Sequence, residues 1–138
     1  MPNIKKIDHI AIATDDLEAT LKFYQEVLGL HCSKIEENME RGLKIAFIPI
    51  GNINIEILSS LNENSEIANF LAKKGPGLHH IAFESTNIKE DMSLISAQGP
   101  RFLSAQPSLG AHNTQVAFIH PKDSQKVLLE LVEHNASQ

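Results

Sequence analysis

The chain has a single cysteine, Cys32, in 138 residues. One thiol cannot form an internal disulfide and cannot build a multi-cysteine metal site. It suits a reducing compartment, and its place after the first predicted helix suits a small apolar residue. Long apolar runs are missing too. No stretch approaches the roughly 20 residues needed to cross a bilayer. The opening MPNIKKIDHI lacks the basic, apolar and small-residue zones of a secretory signal. We therefore expect no membrane segment and a cytoplasmic location, or the mitochondrial matrix with its transit peptide absent. Positive charge is scarce: 12 Lys and Arg stand against 17 Asp and Glu, a net charge of −5. That argues against a nucleic-acid partner, which calls for a basic face. An anionic ligand would need a local basic patch. Low-complexity stretches are absent as well.

The rest is ordinary for a globular protein, with 42% apolar and 21% charged residues. The length is enough for one domain with a full core. Inside that length lies a repeat. IDHIAIATDDLEATLKFYQEVLGL, from Ile7, matches LHHIAFESTNIKEDMSLISAQGP, from Leu78. His9 falls on His80 and Ala11 on Ala82, each a shift of 71. Ala46-Phe47 falls on Ala117-Phe118 with the same shift, and Glu56 falls on Glu130 with a shift of 74. A period of roughly 65–70 residues is too long for a solenoid and indicates a duplicated module.

Each copy reads as strand, helix, then three strands. Asp15 or Asp16 can cap the first helix, with Leu17, Leu21, Tyr24 and Leu28 on one face and Gly29 at its end. The hairpin Leu43–Ile48 and Ile53–Ser59 follows, turning at IPIGN. In the second copy Asn87 caps a helix through Ile88, Met92 and Ile95, and Gly99 ends it. Strands are predicted near 101–104, 115–119 and 127–133. The expected fold is α+β: two tandem βαβββ modules forming a cup-shaped, partly open barrel. One domain spans 1–138, with module one at about 5–60, a linker at about 61–77 and module two at about 78–134. A short linker helix is predicted after Ser65, with Ile67, Phe70 and Leu71 on one face.

Side chains alternate across a strand. On NINIEIL, Glu56 shares a face with Asn54 and Leu58; on KVLLELVE, Glu130 points away from Leu129 and Leu131. His9 and Glu56 from one module, and His80 and Glu130 from the other, would then line one cavity. A lone histidine or glutamate on a strand is usually a core, edge or solvent residue. Two of each at repeat-equivalent places favour a metal set. Such nitrogen and oxygen donors suit a divalent Co, Mn, Ni, Fe or Zn ion. Four protein ligands on a six-coordinate ion leave two positions open, as in catalytic sites. His79 is the weaker member of its pair, because Asp8 occupies its equivalent and alternation turns it away.

At these residues the sequence resembles the vicinal oxygen chelate superfamily and, within it, the methylmalonyl-CoA epimerases. The likeness covers nearly the whole chain. The opening strand and helix are generic to the superfamily. EEN at 36–38 with Gly42, GLHHIAFE at 77–84, LGAH at 109–112, HPK at 120–122 and VLLEL at 127–131 complete the pattern. The resemblance implies a metal, cobalt favoured, held by His9, Glu56, His80 and Glu130. It also implies a homodimer and interconversion of the C2 epimers of methylmalonyl-CoA. Two departures stand out. Ile45 occupies the place of a second-strand glutamate proposed as an acid/base in some relatives. Lys126 and Asn113 replace frequent glycines.

The C2 proton lies between a thioester and a carboxylate, so its removal needs a cation to absorb the developing charge. A proton must also reach the opposite face. Glu130, or failing that Glu56, is the expected acid/base, and Lys44 is a further candidate. Lys122, with Lys126 near it, offers a patch for CoA phosphates, and His112 or His120 lies in a loop suited to the ligand. Lys73 and Lys74 read as solvated. Two alternatives stand beside the epimerase. A lactoylglutathione lyase of the glyoxalase I type would share the metal set, but its second hairpin usually reads like DPDGY. A non-catalytic ligand-binding protein of the same fold would not need intact ligands on both modules.

Overall fold

The computed structural model describes residues 1–135. They form two compact units. One comprises residues 9–79; the other comprises residues 1–8 with those from 80 onward. The expected order, β-α-β-β-β twice, is what the chain adopts.

In the unit 9–79, β1 (Ile7–Ala13) leads to α1 (Leu17–Lys22). The Asp16 carboxylate caps α1 by accepting from the Ala19 amide at 3.0 Å. The helix then widens into a π-turn, Phe23–Val27, where the Leu28 amide donates to the Phe23 carbonyl. The extra residue breaks the 3.6-residue spacing. Leu28 therefore leaves the predicted apolar face and is half-exposed, while Leu30 packs with Leu17, Leu21 and Tyr24. Gly29 follows at φ +72, the left-handed conformation expected of a helix-terminating glycine. Strands β2 (Lys34–Asn38), β3 (Leu43–Ile50) and β4 (Ile53–Ser60) complete a four-stranded sheet ordered β2-β3-β4-β1. Its helix-facing core is Ala46, Ile48 and Ile57, against which Cys32 packs as an apolar group.

The linker helix α2 (Glu66–Lys74) belongs to the same unit. The Ser65 hydroxyl accepts from the Ala68 amide, and Ile67 is buried. Lys73 and Lys74 occupy its last turn, where positive charge meets the helix dipole.

In the other unit, β5 (Gly77–Glu84) leads to α3 (Ile88–Ala97). The Asn87 side chain accepts from the Glu90 amide, and Glu133 accepts from the Ile88 amide at 2.6 Å. Asp91, on the buried side of α3, accepts from Ser85 Oγ at 2.6 Å and from the Asn3 amide at 3.2 Å. The buried carboxylate is thereby satisfied, and the N-terminal arm is held in this unit. Strands β6 (Ser108–Leu109), β7 (Thr114–Ile119) and β8 (Leu129–His134) give the order β5-β8-β7-β6.

The strand expected near 101–104 is not formed. Only a bridge of Phe102 to Ile119 forms there, flanked by backbone bonds from the Leu103 amide to Phe118 O at 2.8 Å and from the His120 amide to Arg101 O at 2.7 Å, while the Phe102 ring packs beside Ile88, Met92 and Leu131. The paired edge comes later, at β6. Strand β8 also begins two residues later than expected. Gln125 and Lys126 both have positive φ, and the Val127 amide turns back to the Ser124 carbonyl. No helix among the described residues is long and apolar enough to cross a membrane.

Candidate active site

Alternation sorts each sheet into two faces. In the unit 9–79, Ile12, Ala46, Ile48 and Ile57 face the helix. The other face carries His9, Ala11 and Ala13 from β1 and Glu56 and Leu58 from β4. Register places Phe47 directly opposite Glu56, and Ile45 opposite Leu58. Side chains paired this way share a face. His9 Nδ1 lies 3.3 Å from Glu56 Oε2, and both side chains are close to nine-tenths buried.

The second copy repeats the arrangement. Ala117 and Leu131 pack on α3 through Ile88 and Met92. Register pairs Ala82 and Phe118 with Glu130. His80 Nε2 lies 3.1 Å from Glu130 Oε1, with 7% and 6% of the two side chains exposed. Ala11 and Ala82 are fully buried, one beside each carboxylate in register. Their small side chains leave the neighbouring His and Glu room on that face.

A buried carboxylate is costly unless a proton or cation neutralises it. Two donors at adjacent positions on one ion, each about 2.0–2.2 Å from it, stand about 3 Å apart. Both His–Glu pairs have that spacing, so each presents two donors suited to a divalent ion. A ligating imidazole also needs orienting neighbours. Phe118 meets the His80 ring edge-on, centroids 5.3 Å apart at 88°. Sequence reasoning aligned Phe47 with Phe118 but gave neither a role. The signal was present, because the two share the shift of 71 that relates the histidines.

Other candidates fall elsewhere. Ile45 is buried on the Glu56 face, so an apolar group fills that position of β3. Lys44 alternates to the opposite face and reaches toward Glu37, Nζ to Oε2 4.0 Å. It lies on the face opposite Glu56 and so is not placed to move the proton. His79 packs its ring against Phe70, centroids 4.7 Å apart, as alternation requires. His112 is exposed at φ +57 just before β7, and Lys122 is exposed in the 3₁₀ turn just after it. The two therefore flank opposite ends of that strand.

Beside Lys122, Asp123 is gripped by Arg101: Nε donates to Oδ2 at 2.7 Å and the Arg101 amide donates to the same oxygen at 2.9 Å. These bonds lower the Asp123 carboxyl to about 2. A cavity of about 640 Å³ is lined by Met92, Arg101, Phe102 and Leu103. It opens on the α3 side of the sheet, the face away from Glu130.

Residues 8–118 match the glyoxalase/bleomycin resistance protein/dioxygenase superfamily. The chain is 39% identical to the mitochondrial methylmalonyl-CoA epimerase of Homo sapiens, over 94% of this chain and 74% of that one. It is 38% identical to the ethylmalonyl-CoA/methylmalonyl-CoA epimerase of Cereibacter sphaeroides, over 93% and 97% of the two chains. The chain belongs to the methylmalonyl-CoA epimerases of that superfamily. Among solved structures, a Streptomyces coelicolor methylmalonyl-CoA epimerase variant in complex with 2-nitronate-propionyl-CoA is similar at TM-score 0.91 and 36% identity. The match covers 97% of each chain. The epimerase fold expected from the repeat, α+β with paired βαβββ modules, is therefore the fold of this chain. A probable lactoylglutathione lyase of Vibrio cholerae is a more distant relative, at 26% identity.

Proposed function

We infer that this epimerase interconverts the C2 epimers of methylmalonyl-CoA, using a divalent metal ion held by His9, Glu56, His80 and Glu130. The observation that carries the reading is the buried His–Glu pair, present once in each unit at repeat-equivalent positions. The two modules act together as one domain over 1–138. When bound, the ion supplies positive charge against the charge that develops as the C2 proton leaves. Cobalt is the favoured ion, and the donor set also suits Mn, Ni, Fe or Zn.

The chain's own residues handle the proton. Glu130, once it loosens from ligation, would take it from C2 on one face, and Glu56, protonated while it is not ligating, would return one to the other face; the reverse reaction would exchange their roles. Ile45 supports this division, because an apolar side chain there leaves no third carboxylate in that strand position. The small Ala11 and Ala82 admit the acyl group beside the carboxylates. An acyl-CoA is the partner. Lys122 offers a charge to its phosphates and His112 a polar contact at the other end of β7. Ethylmalonyl-CoA adds one methylene, which an apolar pocket rejects weakly. The enzyme works as a homodimer in the cytoplasm, or in the matrix of a mitochondrion.

The test is exchange of the C2 proton of methylmalonyl-CoA in D₂O, with and without added Co²⁺. Metal-stimulated exchange is expected. Glu130→Gln should slow it by about 10²–10⁴-fold while metal remains bound. Near-normal exchange in that variant would remove Glu130 as the base. If the enzyme instead converts the hemithioacetal of methylglyoxal and glutathione, and leaves C2 unexchanged, the lyase reading replaces this one.

A further inference from the structure

The β3–β4 and β7–β8 hairpins are repeat equivalents, but their turns differ. Phe47 maps to Phe118 with a shift of 71 and Glu56 to Glu130 with a shift of 74, so the second turn is three residues longer. The added chain lies just beyond the rung that pairs Phe118 with Glu130, and it carries Lys122 and Lys126. The first turn takes its positive φ at Gly51; the second takes it at Gln125 and Lys126, φ +59 and +71. Residues with side chains hold that conformation only where their surroundings fix it. Here the Lys126 amide donates to Pro121 O at 2.8 Å, Ser124 Oγ to Val127 O at 2.7 Å and the Lys122 amide to His120 Nδ1 at 3.2 Å.

The same turn contains a carboxylate, Asp123, next to Lys122 in sequence. Left unoccupied, it would attract either lysine and cancel its charge. Arg101 occupies it from 22 residues away: Nε donates to Oδ2 at 2.7 Å and Nη2 to Oδ1 at 3.2 Å. This two-pronged grip is the geometry in which a guanidinium outcompetes an ammonium. Among the described residues, neither the Lys122 nor the Lys126 side chain meets a carboxylate, and both lysines are exposed. In a chain of net charge −5, two uncancelled positive charges therefore stand together a short way from Glu130. CoA carries its phosphates at the far end of the pantetheine arm from the thioester, so charges near Glu130 but not beside it suit them.

We propose that Arg101 is a positioning residue for acyl-CoA: by occupying Asp123 it leaves Lys122 and Lys126 free to meet the phosphates. The inference rests on the acyl-CoA reading of the site.

The experiment compares wild type, Arg101→Gln and the double variant Arg101→Gln/Asp123→Asn, with Co²⁺ present. C2 exchange is followed with methylmalonyl-CoA and with the pantetheine thioester of methylmalonate, which has no phosphates. Binding of free CoA is measured by calorimetry. Arg101→Gln should raise the KM for methylmalonyl-CoA and the Kd for CoA about five- to tenfold, while kcat and the KM for the pantetheine thioester change by less than about twofold. The double variant should return both constants to within about threefold of wild type, because no carboxylate is left to pair with the lysines. In a Lys122→Gln/Lys126→Gln background, Arg101→Gln should add nothing. Equal losses on the two thioesters, or a double variant no better than Arg101→Gln, overturn the proposal. If wild type exchanges neither thioester but binds CoA with this dependence on Arg101, the epimerase reading fails and the inference stands; wild type that binds no CoA overturns it. The Arg101 side chain is 63% exposed, and circular dichroism on each variant separates lost affinity from unfolding.

Discussion

At the scale of single residues, the proposed chemistry rests on two buried His–Glu pairs and the groups that orient them. The pairs were legible from the sequence because repeat position and strand alternation both selected them. Phe118 was visible as a repeat partner of Phe47, but an aromatic beside a histidine is also what an ordinary core looks like. Only the paired register set its edge against His80. Such contacts are worth about 0.5–1.5 kcal/mol. Phe118→Leu is thus expected to weaken metal binding about three- to tenfold with the fold retained, measured by titration with Co²⁺. Unchanged affinity would show that the ring only fills space. Lys44 teaches the converse: one residue from a site in sequence is the wrong face of the sheet.

At the scale of elements, caps and turns were read more securely than edges. Asp16, Ser65 and Asn87 all cap the helices that their sequence positions predicted. The misses have physical causes. The π-turn moved Leu28 out of the core, and no 3.6-residue pattern contains that insertion. The edge beside β7 is interrupted: Phe102 bridges Ile119, and regular pairing resumes only at 108–109. Gly110 shows how tightly that edge is built. A Cβ there would lie 2.6 Å from Val116 Cγ1 and 2.7 Å from Thr114 Oγ1. Overpacking of this kind costs about 1–3 kcal/mol. Gly110→Ala should lower stability to urea by that amount, and an unchanged midpoint would mean that the neighbours give way freely. The lesson for His112 follows from the same loop. Its positive φ, like that of Asn113, comes from a chain turning into β7, whatever the side chain goes on to bind.

At the scale of the whole molecule, the enzyme is expected to form a homodimer, sedimenting at twice the 15.3 kDa of one chain. Phe23 and Val27 on the π-turn and Ile35 on β2 are at least about half-exposed, and they supply apolar surface for such an assembly. A monomer at micromolar concentration would contradict the expectation.

The sequence by itself determined the duplication, the α+β class, the helix caps and the two His–Glu pairs. Each follows from local periodicity or from comparing one half with the other, and neither requires knowing which strands meet. The three-dimensional structure decided the rest: the edge-on Phe118, the burial of Ile45, the displacement of Lys44 and the pairing of Arg101 with Asp123. Arg101 and Asp123 are 22 residues apart. Pairings at that distance arise from the order in which strands hydrogen-bond, and no pattern along the chain encodes that order directly.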